Sequence, residues 1–247
     1  MPDVQRAQGR GLEALTAGVV VTTALRVLRE RPRRVIGTAA AVFGTTALIS
    51  ALVEVKVVEA GAPIEIDALA AILAALVSAF GIVFYAGLLD LVAGSIHEGT
   101  PDPPLGEALR RLPLTRLLIA DLVLVVASGL AALAFVIPGL VVFTFFGLVG
   151  PVVVTEELGV WAAFRRSAQL VRPHFWMALV LVTIPFVIED QLLHGIDLDA
   201  FDHRFIGAFV VSALLGATVG AAVGLLEVAL AHELRAREPL ADDPVAR

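Results

Sequence analysis

The sequence predicts an all-α membrane protein, a bundle of about six transmembrane helices with very little chain outside the bilayer. Of its 247 residues, 58% are hydrophobic, and the mean hydropathy is +0.90. A soluble domain is only about 45–50% apolar. Charged residues make up 17% of the chain and are bunched, which leaves long uncharged runs. A single water-soluble core is therefore excluded.

Six segments are long and apolar enough to cross a bilayer, which takes about 20 residues of helix. They are residues 35–53, 68–94, 117–136, 138–155, 173–189 and 205–230. Almost no loop separates the third segment from the fourth, where Pro138 occupies a favourable first-turn position. The sequence therefore predicts a tight antiparallel hairpin at this point.

The basic residues predict the orientation of the bundle. Sixteen of the 18 lie on one side: seven before residue 35 and three each in 95–116, 156–172 and the C-terminal tail. The positive-inside rule then places both termini in the cytoplasm. The outer loops, 54–67 and 189–204, hold the other two basic residues, Lys56 and Arg204, and nine acids.

This count divides the chain into a cytoplasmic N-terminus (1–34), one six-span domain (35–231) and a polar cytoplasmic tail (232–247). The basic residues are 17 arginines and one lysine, and Ala, Val and Gly are abundant. This composition is typical of a GC-rich bacterial genome, so we expect a multi-pass protein of the bacterial cytoplasmic (inner) membrane.

Two predicted cytoplasmic helices are amphipathic. In 12–30 the apolar stripe is formed by Ala14, Ala17, Val21, Leu25 and Leu28. In 156–172, between the fourth and fifth spans, it is formed by Trp161, Phe164, Ala168 and Val171. Both helices fit the membrane interface, with the apolar side among the headgroups. Packing on the cytoplasmic end of the bundle explains the pattern equally well.

The connection between the fourth and fifth spans has its own predicted geometry. Pro151 removes a backbone hydrogen bond and should kink the fourth span near its cytoplasmic end. Thr155 can cap the next helix with its hydroxyl, and Glu156 and Glu157 then lie in a first turn, where negative charge is favoured. The segment is predicted as span, kink, cytoplasmic helix and re-entry.

The stretch from Ile137 to Val182 carries a specific pattern. It has a Pro-Gly helix start, Gly150-Pro151, an acid pair, the short run AFRRS, and LVRPHFW opening the next span. This pattern resembles the membrane domain of bacterial glycerophosphoryl diester phosphodiesterases and related six-span inner-membrane proteins of unknown function. In the fused members the catalytic activity belongs to a separate barrel domain of about 250 residues, for which this chain has no room. The resemblance implies a fold and no reaction.

Three acids interrupt the spans, Asp90, Asp121 and Glu227. An ionisable residue within a span is costly and is a functional-site candidate. We expect pairs with cytoplasmic arginines that fasten the cytoplasmic helices to the bundle, most firmly Asp121 with Arg116. The candidate partners are Arg110, Arg111, Arg116, Arg165 and Arg166. The alternative is a site that binds a proton or a cation.

Small residues repeat at intervals of four in the last span. After Ala208 they are Ser212, Gly216, Gly220 and Gly224. Such a stripe allows close helix packing, and Glu227 beside it should face the bundle. The glycines match no nucleotide-binding loop.

Few other residues indicate chemistry. Cysteine is absent, and no catalytic or phosphate-binding motif is present. The outer residues His194, Asp197, Asp199, Asp202 and His203 could ligate a divalent ion, but a solvated acidic loop explains them as well. We therefore predict no catalytic residue, cofactor or metal.

These patterns favour a non-enzymatic membrane protein that organises lipid or a partner membrane protein. Its expected contacts are anionic headgroups at the cytoplasmic face and another membrane protein, and nucleic acid is not expected. The alternative is a small transporter or channel subunit that uses Asp90, Asp121 and Glu227. An intramembrane enzyme acting on lipid is a weaker third possibility.

Overall fold

The computed structural model describes residues 15–59, 64–98, 104–195 and 204–237, and within these ranges all regular structure is helical. The helices in chain order are α1 Ala17–Glu30, α2 Pro32–Glu59, α3 Ile64–Glu98, α4 Leu105–Arg111, α5 Leu114–Ala134, α6 Val136–Phe146, α7 Val149–Thr155, α8 Val160–Val171, α9 Phe175–Ala178, α10 Ile184–Gly195, α11 Arg204–Leu215 and α12 Ala221–Ala236. A 3₁₀ turn, Arg172–His174, joins α8 to α9. Two π-helical turns, Leu179–Thr183 and Gly216–Gly220, join α9 to α10 and α11 to α12.

Five helical segments are long and apolar enough to cross a membrane. They are Pro32–Val53, Leu114–Ala131, Val136–Thr155, Val160–Ile188 and Phe205–Ala236. α3 is itself 35 residues long, and its described part includes a shorter apolar stretch, Val83–Ile96. A helical membrane protein is therefore the fold class of this chain.

The segment predicted as the fourth span is divided into two helices. α6 ends at Phe146 and α7 begins at Val149. Pro151 explains the break because it has no N–H to donate to the carbonyl four residues earlier, that of Gly147. The kink expected at Pro151 thus takes the form of a turn that begins one helical turn before it.

The last described helix is longer than the apolar pattern indicated. α12 continues to Ala236, past residue 230, where the predicted span ends, and past residue 231, where the predicted transmembrane domain ends. Residues 231–236 read AHELRA, and Ala, Leu, Glu and Arg are strong helix formers. The continuation brings polar residues assigned to the tail onto the end of the bundle.

α3 lies at the centre of the bundle, in contact with α2, α5, α7 and α12. The hydroxyl of the fully buried Tyr85 donates to the carbonyl of Val35 at 3.3 Å. A Cβ on Gly224 would lie 2.7 Å from Cδ1 of Tyr85, and one on Gly216 would lie 2.8 Å from Cδ1 of Phe43. Gly216 in the π-helical turn and Gly224 in α12 therefore let this last helical segment approach α2 and α3 closely.

The two amphipathic helices bury faces that differ from the predicted stripes. In α1 the buried residues are Val20, Ala24 and Val27, whereas Val21 and Leu25 are exposed. α1 lies against α12 and α3, so one face packs on the bundle and an apolar strip beside it remains open. Residues 12–14 of the predicted helix lie outside the described ranges.

In α8, Phe164 and Val171 are buried as the stripe predicts, but Trp161 is exposed. α8 begins after Gly159, and Thr155 ends α7. The predicted cap at Thr155 is therefore wrong. Glu157 in the connecting turn has φ 51°, a left-handed conformation that is uncommon outside glycine, and Arg116 donates to its carbonyl at 2.8 Å.

Candidate functional site

Charged side chains and one hydroxyl, from four parts of the chain, meet at one end of the bundle. We call this group the charge cluster. It contains Asp90, Thr155, Glu156, Arg166, His232 and Arg235. α3 provides Asp90, the end of α7 provides Thr155 and Glu156, α8 provides Arg166, and α12 provides the other two. The cluster therefore joins three helical segments to the extension of α12.

Asp90 is the most buried member of the cluster, with a side chain 3% exposed. Its Oδ1 lies 3.2 Å from Nε2 of His232 and 3.8 Å from Nη1 of Arg235. Its Oδ2 accepts a hydrogen bond from the hydroxyl of Thr155. Thr155 in turn accepts from Nη1 of Arg235 at 3.1 Å. The carboxylate thus has a hydroxyl donor and two cationic or polar nitrogens around it, which offsets its cost in a low-dielectric setting.

Arg235 also connects Asp90 to a second acid. Its Nε lies 3.3 Å from Oε1 of Glu156, and Arg166 donates from Nε to Oε2 of the same carboxylate at 2.9 Å. The four charges therefore alternate from Asp90 through Arg235 and Glu156 to Arg166. In this alternating row each charge lies next to an opposite charge or water. The arrangement therefore favours a role in connecting the helices.

Glu227 faces the interior of the bundle and is 3% exposed. A Cβ on Gly150 would lie 3.5 Å from its Oε1, so Glu227 packs against α7. Its carboxyl lies within electrostatic range of Asp90. Among the residues that the structure describes, Oε1 has no hydrogen-bond donor. Glu227 is thus near Asp90, but its Oε1 accepts no hydrogen bond from the charge cluster.

Asp121 lies on α5, 2% exposed, and its Oδ1 has no donor within the described part of the chain. The predicted pair with Arg116 is not formed, since Arg116 donates to the carbonyl of Glu157. Helix geometry explains the error. Residues five apart lie about 140° apart around the axis, whereas residues three or four apart are neighbours on one face.

The five arginines predicted to pair with the buried acids have other surroundings. Arg111 pairs with Glu107 at 2.5 Å on an exposed part of α4, and Arg166 pairs with Glu156. Arg110 and Arg165 are exposed. The prediction that Asp90 pairs with one of these five is corrected, because the arginine in contact with it is Arg235.

Arg235 and His232 were missed because the apolar pattern ends at residue 230. So was Glu233, which accepts from the hydroxyl of Thr23 at 2.7 Å and pairs with Arg237. The Thr23 contact fastens α1 to α12. A signal was available in principle, because AHELRA contains no helix breaker. The helix could therefore have been extended by a turn and a half.

Two cavities have their arginine-lined parts near the same end of the bundle. One is an apolar groove of about 690 Å³ between α2, α3 and α5, with Arg33 and Arg34 at one end. The other is a cavity of about 700 Å³ that is lined by Arg110, Arg111 and Arg116. Neither is lined by Asp90, Asp121 or Glu227. The predicted acids are therefore part of the packed bundle and not of either cavity.

The remaining candidates that the structure describes give no further site. In the described ranges no group of three or more His, Asp and Glu side chains could hold a metal ion. Residues 197–203, which include four of the five possible outer ligands, lie outside the described ranges. Buried Thr144 and Thr183 share a hydrogen bond of 2.9 Å beside a π-helical turn, which is a packing contact between α6 and that turn.

No protein-family model, curated protein or solved structure matches this chain. The resemblance of residues 137–182 to the membrane domain of glycerophosphoryl diester phosphodiesterases stays a prediction. The family is not shown, and the function has to be argued from the charge cluster, the acids and the two cavities.

Proposed function

We propose that the chain is a non-enzymatic, six-span protein of the bacterial cytoplasmic membrane that organises lipid or a partner membrane protein. Six spans require α3 to cross with the five segments named above. Its 35 residues correspond to about 52 Å of helix at 1.5 Å per residue, more than the ~30 Å hydrocarbon core needs. The arginine count supports a cytoplasmic location for both termini and for the charge cluster.

One observation carries this proposal: Asp90 is held by Arg235, His232 and Thr155 in a packed cluster that neither cavity reaches. An acid that binds and releases a transported ion needs a path to water on each side in turn. An acid enclosed by its own partners instead connects helices. The cluster therefore supports a structural role for Asp90. It favours a protein that contacts lipid or a partner through its outer surface over one that moves an ion through its interior.

The alternative is a small transporter or channel subunit. Buried Glu227 and Asp121 favour it, because each has a carboxyl oxygen with no donor among the described residues and, unlike Asp90, neither has an ion pair there. The π-helical turns in the helices Val160–Ile188 and Phe205–Ala236 favour it too, since π turns occur often at functional sites.

Flux in liposomes separates the two functions. The purified chain in sealed vesicles should conduct neither protons nor alkali cations above the level of protein-free vesicles, under a pH gradient or a potential. Glu227→Gln and Asp121→Asn should leave this baseline unchanged. A flux that the wild type supports and that Glu227→Gln abolishes, with the protein still folded, would establish the transporter instead.

A further inference from the structure

The apolar groove is a cleft in the side of the bundle that would open towards the acyl chains of the bilayer. α2 contributes Gly37, Thr38, Ala41, Val42 and Ile49, and α3 contributes Phe80, Phe84 and Leu88 to its walls. Along α2 it extends from Arg33 to Ile49, about 24 Å at 1.5 Å per residue. One leaflet of the ~30 Å hydrocarbon core is shorter than this. The groove therefore has room for a full acyl chain.

Its threonines do not make the wall polar. The hydroxyl of Thr38 donates to the carbonyl of Arg34 at 2.7 Å, and that of Thr45 donates to Ala41 at 2.7 Å. Thr46 donates to the carbonyl of Phe43 at 3.2 Å. Because each hydroxyl hydrogen is directed to its own helix, the groove offers little to a polar ligand. A hydrocarbon chain suits it better.

Among the described residues that line the groove, charge lies at one end only. Arg33 and Arg34 are the charged residues among those that line it. The bond from Tyr85 to Val35 places this end of α2 beside the part of α3 that leads to Asp90. Leu109 lines both the groove and the neighbouring cavity with Arg110, Arg111 and Arg116. An apolar cleft thus ends among arginines, on the side where anionic lipid headgroups are expected.

From this combination we propose that the groove binds one acyl chain of an anionic phospholipid, with the lipid phosphate at Arg33 and Arg34. The inference rests on the lipid-organising form of the proposed function and names its ligand class. Guanidinium groups recognise phosphate oxygens through paired N–H donors. A groove volume of about 690 Å³ lies in the range usual for ligand sites, about 300–1,000 Å³.

The structure provides a matched pair of glycines for the test. A Cβ on Gly37 or on Gly44 would meet no atom within 4 Å, so both positions on α2 tolerate a side chain. Gly37 lines the groove, and Gly44 does not. Gly37→Phe should therefore fill the groove and Gly44→Phe should leave it open, with both proteins folded.

The measurement is native mass spectrometry of the detergent-purified chain after incubation with dioleoyl phosphatidylglycerol or dioleoyl phosphatidylcholine. The wild type should retain one phosphatidylglycerol, preferred over phosphatidylcholine by roughly tenfold or more, since each arginine near an anionic lipid contributes about fivefold. Gly37→Phe should lose this retention, and Gly44→Phe should keep it. Arg33→Gln/Arg34→Gln should remove the headgroup preference, whereas Arg26→Gln/Arg29→Gln on α1, which removes the same charge, should not.

Three results would overturn the groove proposal. The first is equal retention by Gly37→Phe and Gly44→Phe, and the second is a headgroup preference that is unaffected by the loss of Arg33 and Arg34. The third is a change in oligomeric state on Gly37→Phe with lipid retention unchanged, which would show that a second copy of the chain occupies the groove. An acid-dependent flux with selective lipid retention intact would overturn the proposed function and leave the groove proposal standing.

Discussion

Asp90 lies in the apolar stretch Val83–Ile96 of α3, where an unpaired buried carboxylate is costly. Its three neighbours explain why the position is tolerated. Arg235 and His232 approach Oδ1, and Thr155 donates to Oδ2. Since the side chains of Asp90 and Arg235 are 3% and 15% exposed, removal of one would leave the other poorly solvated. The stability of this site therefore depends on whether both charges are present or one is left without its partner.

A double-mutant cycle tests that balance. Asp90→Asn should lower the free energy of unfolding by about 2–4 kcal/mol, because breaking a buried pair costs about 3–5 kcal/mol and water near Arg235 reduces this. Arg235→Met alone should cost a similar amount. The double variant should recover part of the loss, because neither charge is then stranded. Unfolding in detergent, monitored by helical circular dichroism, gives the three values.

The exposed pair of Glu107 and Arg111 is the control for that cycle. It is an i, i+4 pair on α4 with side chains 48% and 59% exposed, so Glu107→Gln should cost no more than about 0.5 kcal/mol. Purely additive losses of unfolding free energy for Asp90→Asn and Arg235→Met would show that the pair makes no stabilising contact. That result would contradict the structural role of Asp90.

The acids show how far residue-level prediction reaches. The sequence is sufficient to identify Asp90, Asp121 and Glu227 as ionisable residues in apolar helices, and the helical period indicates that Glu227 faces the bundle. The partner of Asp90 could not be derived in that way, because Arg235 is 145 residues away and their proximity depends on how α3 packs on α12. Arg116 was the predicted partner closest in sequence to Asp121. The two side chains do not pair because they point in different directions from α5.

At the scale of the helices, proline residues determine where a helix is interrupted, and glycine residues determine where two helices pack closely. Pro151 accounts for the break between α6 and α7. Gly216 and Gly224 account for the close approach of the last span to α2 and α3. Both effects were predictable in kind from the sequence. The two π-helical turns were not, because no residue pattern requires the extra residue that a π turn contains.

A glycine comparison measures the packing effect. Gly224→Ala should destabilise the protein by about 1–3 kcal/mol, the usual cost of overpacking, since the new Cβ would lie 2.7 Å from Cδ1 of Tyr85. Tyr85 cannot easily move because it is fully buried and bonded to Val35. Gly129→Ala on α5 meets no atom within 4 Å and should be neutral or stabilising.

Thermal unfolding in one detergent provides both values. An unchanged melting temperature for Gly224→Ala would mean that α12 and α3 are further apart than the structure places them. It would also remove the packing argument for the small-residue stripe.

For the whole molecule, the arrangement of charge gives one end of the bundle a distinct character. The charge cluster, the arginine-lined cavity and the charged end of the groove involve neighbouring parts of α2, α3, α5 and α12. The sequence predicts this side to be cytoplasmic from its arginine count. The side-chain positions show that these arginines have different roles. Some link helices through ion pairs, and others line open cavities.

The orientation itself can be measured because the chain has no cysteine, so single cysteines introduce the only thiols. Gln169 is exposed on α8, on the side that the arginine count assigns to the cytoplasm, and Ala200 belongs to the predicted outer loop 189–204. In intact cells a membrane-impermeant maleimide should label Ala200→Cys and leave Gln169→Cys unlabelled. After permeabilisation Gln169→Cys should react too, which shows that its thiol is accessible. Labelling of Gln169→Cys in intact cells would reverse the topology. Arg33, Arg34 and the charge cluster would then face outwards, away from the leaflet whose anionic lipids the groove is expected to bind.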